Sequence, residues 1–104
     1  PTNTEFQNLI NACNATYMSG SWSSSNYGYL TLTDKTNSAN KLEFPAVGGR
    51  STSGQLEDAG MWGNYWSSTQ YNNNDAYGMY FNSSDVGTRN YSRLYGFSVR
   101  CVRK

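Results

Sequence analysis

Apolar positions near the N-terminus repeat at helical spacing. Phe6, Leu9, Ile10 and Cys13 stand at i, i+3, i+4 and i+7, which puts them on one face of a short helix. Thr2 and Glu5 have the spacing of a capping box, so a helix is expected over residues 2–13. Further on, the period becomes two. Leu30 and Leu32 alternate with threonines across Tyr29–Thr33, and Lys41–Phe44 resumes the pattern after the turn-forming run Asp34-Lys35-Thr36-Asn37-Ser38-Ala39-Asn40. Residues 29–44 therefore read as a hairpin, ended by Pro45. A strand is expected at Tyr65–Thr69, a turn at 71–75, and a strand in which Tyr77, Met79 and Phe81 alternate with Gly78, Tyr80 and Asn82. A last strand runs from about Gly96 to Val102. Residues 14–28, 46–60 and 83–93 read as irregular or polar connections. One helix, about five short antiparallel strands and long loops make an α+β fold, in one domain covering residues 1–104.

Composition changes this picture in one respect. Ile, Leu, Val and Phe are scarce, while Asn, Ser and Thr number 13, 14 and 9. With a net charge of only +1 and aromatics at 15%, the chain still folds if Tyr and Trp supply the missing core area. Phe6, Phe44, Phe81 and Phe97 are the core candidates by alternation. Trp22, Trp62, Tyr65, Trp66, Tyr71, Tyr77, Tyr80, Tyr91 and Tyr95 are too many for one small core. Of these, Tyr71, Tyr80 and Tyr91 sit in or beside polar segments and are expected at the surface. Residues 89–104 carry five basic and no acidic residues, against three and seven in 1–88. This reads as a solvated strand edge and tail, with no nucleic-acid partner. No run of 18 apolar residues exists, so this domain does not insert into a membrane by a helix. With no His, zinc hydrolases, Ser-His-Asp triads and Cys-His dyads are excluded, and no phosphate-binding glycine loop is present.

The helical spacing turns Cys13 inward, and alternation with Phe97 and Val99 turns Cys101 inward too. A Cys13–Cys101 disulfide pinning the first helix to the last strand is therefore expected, and with it an oxidising compartment. Two buried free thiols are the alternative.

Several strings carry a resemblance: Pro1-Thr2-x-x-Glu5, Leu42-x-Phe44-Pro45-Ala46-x-Gly48-x-Arg50, Gly63-x-Tyr65-Trp66-Ser67-Ser68-Thr69, Ala76-Tyr77-x-x-Tyr80-Phe81-Asn82 and Tyr95-Gly96-Phe97-Ser98-Val99-Arg100-Cys101-Val102-Arg103. Together they resemble the bacterial major-paralogous-domain family, FISUMP, over nearly the whole chain. The resemblance implies a C-type-lectin-like fold of the formylglycine-generating-enzyme variety, with its first helix bridged to its last strand. It also implies the C-terminal part of a longer exported protein at the bacterial cell surface. The same fold presents hypervariable residues in proteins diversified by retroelements, and the Asn-rich clusters here resemble that layout.

These readings converge on a non-catalytic ligand-binding domain rather than an enzyme. The resemblance's enzymatic branch needs a reactive pair of copper-binding cysteines, and both cysteines here are assigned to the core. The lectin calcium strings are missing, so no metal or other cofactor is expected, although Glu57, Asp58 and Asp75 offer oxygens. Exposed Tyr beside Asn and Ser is the composition of adaptable binding loops. The ligand face is accordingly assigned to Tyr65, Trp66, Tyr71, Asn72, Asn73, Asn74, Asp75, Tyr80, Asn82, Asn90, Tyr91, Arg93 and Tyr95. The partner is a protein or glycan at a cell surface. The alternatives are a spacer domain of a surface lipoprotein and a calcium-independent carbohydrate-binding module.

Overall fold

A computed structural model describes residues 1–20 and 27–103. Trp22 lies outside the described residues. Helix α1 (Asn3–Ala12) is followed by strands β1 (Cys13–Met18), β2 (Tyr29–Asp34), β3 (Lys41–Pro45), β4 (Gly49–Arg50), β5 (Leu56–Glu57), β6 (Gly63–Gln70), β7 (Asp75–Phe81) and β8 (Val86–Ser92). The strands form three antiparallel sheets, ordered β1-β2-β3, β4-β5 and β6-β7-β8.

The helix starts where the capping box puts it. Glu5 N–H donates to Thr2 Oγ1 (3.1 Å) and Thr2 N–H donates to Glu5 Oε1 (3.0 Å). Only Phe6 on this helix is fully buried, with Leu9 and Ile10 packed beside it. Phe6 meets Leu30, Leu32, Phe44 and Ala46 from the first sheet side and Tyr65, Met79 and Phe81 from the third. Three of these eight core residues are Phe and one is Tyr, so aromatic area does replace the scarce aliphatics. Phe44 and Tyr65 meet edge to face at 5.2 Å. The Tyr65 hydroxyl donates to the Pro45 carbonyl (2.7 Å), tying the two large sheets together.

The architecture corrects the α+β, C-type-lectin-like expectation. Strand makes up 47% of the described residues and helix 10%, so this is a small β-rich domain with one short helix. Four strands lie in segments expected to be connections: the two-residue β4 and β5, and the longer β1 and β8. β1 exposes four of its six residues, and its weak alternation of Cys13, Ala15 and Tyr17 is masked because Cys13 also continues the helical spacing of Phe6, Leu9 and Ile10. In β8 the two large apolar residues, Val86 and Tyr91, fall on opposite faces among polar neighbours, so no period marks it. Conversely, the expected last strand does not form. Residues 96 and 98 make only single bridges, Arg50↔Gly96 and Tyr65↔Ser98.

The disulfide is also corrected. Cys13 and Cys101 are both free, and their sulfurs are not close. Phe97 is the reason. Its ring packs with Trp66 (4.6 Å) and Tyr91 (4.9 Å) on the side of the third sheet that faces away from the core. The chain after it leaves Val99 and Cys101 exposed; Cys101 lines an open cavity beside Phe6 and Leu9 of the helix without reaching Cys13. Cys13 stays half-buried beside Asp34 and Lys35, its thiol pushed above the ordinary value by burial and then by the Asp34 charge.

Thiol titration in denaturant without reductant is therefore expected to return two thiols per chain. Native alkylation is expected to modify Cys101 before Cys13, and a titre of zero thiols contradicts this packing. A second expectation concerns Tyr65, whose phenol burial pushes up to about 12. A raised folded-state value favours the protonated form in the folded protein. Stability from this site is thus complete below pH ~10, the unfolded value, and is lost as pH rises toward 12. Denaturation midpoints across that window should fall for the wild type and fall less for Tyr65→Phe.

Candidate functional site

The third sheet has two covered faces. β6 and β7 pair as Gly63↔Phe81, Asn64↔Tyr80, Tyr65↔Met79 and Trp66↔Gly78, and β7 and β8 as Gly78↔Arg89, Tyr80↔Gly87 and Ala76↔Tyr91. Because side chains alternate across a strand, Tyr65, Met79 and Phe81 share the core face. Asn64, Trp66, Tyr80, Arg89 and Tyr91 share the outer one. The outer face is where a cleft of about 210 Å³ opens, lined by Gly49, Arg50, Glu57, Asp58, Trp62, Asn64, Arg89, Tyr91, Tyr95 and Phe97.

Each wall of this cleft has a backbone cause. The β4–β5 hairpin is held against the 95–98 segment by paired bonds: Arg50 N–H donates to Gly96 O (2.7 Å) and Gly96 N–H to Arg50 O (2.9 Å). Asp58 adopts φ 59°, the left-handed region that few residues other than glycine enter. That turn lets Trp62 N–H reach Asp58 O (2.9 Å), while Trp62 O accepts from Gly48 N–H (2.7 Å). Gly48 is also left-handed, at φ 65°, and a Cβ there would run into the backbone of residues 57–59. Trp62 is thus fixed at the mouth of β6. The Tyr17 hydroxyl supports the same loop by donating to the carbonyls of Gly60 and Met61 (3.2 and 3.3 Å).

One wall is Trp62, whose ring lies 6.3 Å from Tyr80. Arg89 stacks over the Tyr80 ring at 4.6 Å, a contact of ~0.5–1 kcal/mol at exposed sites. The Tyr80 hydroxyl donates to Asp85 Oδ2 (2.9 Å), and that bond, followed by burial, raises its ionisation above the ordinary value. The opposite wall is Tyr91, Tyr95 and Phe97, with Tyr95 and Phe97 stacked at 5.6 Å. Burial raises the Tyr91 phenol as well.

Asn64 lies on the floor between these walls. It is 8% exposed and is the buried polar residue of the described core. Its backbone O accepts from Ser98 N–H (3.2 Å), but its side-chain amide has no hydrogen-bond partner among the described residues. The buried side-chain atom without a partner among the described residues is Asn3 Oδ1; the Asn64 amide, which also lacks a protein partner, meets the solvent of the cleft and is open to a group from outside.

The structure sorts the residues assigned from sequence. Trp66, Tyr80, Tyr91 and Tyr95 come together on the cleft face, Tyr91 and Tyr95 as lining and the other two as support. Tyr80, expected to be exposed, is 8% exposed. Tyr65 belongs to the core. Tyr71, Asn72, Asn73 and Asn74 form the exposed β6–β7 turn, where Asn72 Oδ1 accepts from the Asn74 and Asp75 N–H groups (both 2.8 Å). Arg93 Nη2 donates to Asn72 O (3.4 Å). Asn90 lies on the core-side face and donates to Asp75 Oδ2 (3.1 Å). Asn82 Oδ1 accepts from Ser84 N–H (2.8 Å) in the β7–β8 turn. The Asn72, Asn82 and Asn90 amides are occupied by turn and strand chemistry. The lining residues that sequence reading did not assign are Gly49, Arg50, Glu57, Asp58, Trp62, Asn64, Arg89 and Phe97. A signal for three outer-face residues was there: Trp62, Asn64 and Trp66 alternate at period two. Among the described residues, no group of three or more His, Cys, Asp or Glu side chains is placed to hold a metal ion.

The sequence model of one protein family, described as a domain of unknown function (DUF8237), matches residues 16–102. No curated protein and no solved structure matches the chain.

Because the Asn64 amide has no bond to the described chain and meets cleft solvent, Asn64→Leu is expected to leave unfolding stability within ~1 kcal/mol of the wild type in chemical denaturation. A clear loss of stability would mean that the amide has a structural partner.

Proposed function

We propose, for a chain that belongs to the DUF8237 family, that it is a non-catalytic ligand-binding domain whose site is the cleft over Asn64. The observation that carries this reading is the Asn64 amide, which lines the cleft among aromatic residues with no hydrogen bond to the described chain. The residues around it supply what a binding pocket needs: aromatic surface, a few convergent polar groups and a rim anchored by backbone bonds. Binding fits the cleft better than catalysis. Glu57 and Asp58 are exposed side chains, and a carboxylic acid poised for proton transfer is usually dehydrated.

We place the domain on an exported bacterial surface protein. The strings that resemble the FISUMP family support this, as does a surface rich in hydroxyls and amides. Cysteine pairing lends it no support, since both thiols are free.

Backbone amide NMR spectra recorded with a library of small polar fragments test the site. Shifts are expected to concentrate at Arg50, Asn64, Arg89 and Tyr95. Trp62→Ala should remove them and Tyr71→Ala should leave them. Shifts confined to the 71–75 turn would move the site there, and no shift with any fragment would favour a spacer.

A further inference from the structure

Resting on the reading that the cleft binds a ligand, we propose that its ligand is a neutral, hydroxyl-bearing ring: one pyranose residue of a glycan, held without calcium. Size is the first argument. Pockets for drug-sized molecules span about 300–1,000 Å³, so about 210 Å³ admits a single ring. A protein partner would need roughly 800 Å² on each side, far more than this slot presents.

Shape is the second argument. Trp62 and Trp66 flank Asn64 at period two along the chain, Trp66 packs against Tyr91 and Phe97, and Trp62, Tyr91 and Tyr95 all line the cleft. A slot with aromatic walls suits a ring with an apolar C–H face, because an aromatic face is electronegative and attracts the weakly positive hydrogens laid on it.

Charge decides the class. The rim carries two cations, Arg50 and Arg89, and two anions, Glu57 and Asp58. A phosphate or carboxylate entering it meets two carboxylates, and an ammonium meets two guanidiniums. Hydroxyl groups both donate and accept, so they can use all four, along with the Asn64 amide, which offers two donors and an acceptor. A ligand without hydroxyls would displace the water that this amide meets in the cleft and offer it no bond in return.

The test titrates tryptophan fluorescence with a panel of neutral monosaccharides and methyl glycosides in EDTA, alongside a panel of phosphorylated, ammonium and zwitterionic small molecules. At least one neutral sugar is expected to bind saturably. Asn64→Leu should weaken it at least tenfold without lowering the unfolding midpoint, Trp62→Ala should abolish it, and Tyr71→Ala should leave it unchanged. If only members of the charged panel bind, and Trp62→Ala abolishes their binding, the sugar assignment falls while the cleft stands. If sugar binding needs added calcium, the calcium-free assignment falls. If neither panel binds, the sugar assignment and the cleft reading fall together.

Discussion

Phe81 fills the space that a side chain on Gly63 would need, and the domain is arranged around that one accommodation. With so few aliphatic residues, the core is closed by rings, and a ring seated directly across a strand pair needs a partner without a Cβ. Gly63 meets this need and sets the register of β6 on β7. That register sends Tyr65 and Met79 to the core and leaves Asn64, Trp66 and Tyr80 on the reverse. A one-residue slip would exchange the two sets. The cleft is therefore a by-product of how the core is packed.

The parts of the fold that were legible in sequence are those with a period. The capping box and Phe6 fixed the helix, Leu30 and Leu32 fixed β2, and Tyr77, Met79 and Phe81 fixed β7. β1 escaped because Cys13 also fits the helical spacing before it, and β8 because its apolar residues, Val86 and Tyr91, fall on opposite faces. The last segment misled for the opposite reason. Phe97, Val99 and Cys101 alternate well, yet Phe97 finds better partners in Trp66, Tyr91 and Tyr95 than in the core. A ring-rich outer face competed for it, and periodicity does not say which of two faces wins.

The site was legible in the same uneven way. Tyr91 and Tyr95 stood out as aromatic residues in polar surroundings. The asparagines stood out too, for a reason that belongs to turns: Asn72 and Asn82 cap their own loops, and Asn90 holds Asp75. Asn64, whose amide has no bond to the described chain and faces the cleft, sits just ahead of the strand expected at Tyr65–Thr69, where no polar cluster draws attention to it. Composition marks which residue types are abundant, whereas the number of bonds each one already has depends on the fold.

Positions around the cleft divide into two kinds. Gly48, Gly49 and Gly63 are backbone positions where neighbouring atoms leave no room for a side chain. Arg50, Glu57, Asp58 and Tyr95 present exposed side chains on backbone that is already anchored. The first kind resists change and the second accepts it at little cost to folding. Descent with modification on this scaffold is thus channelled: the shape of the slot is inherited, while the chemistry of its rim is free to drift, so related chains can share this cleft and differ in what they hold.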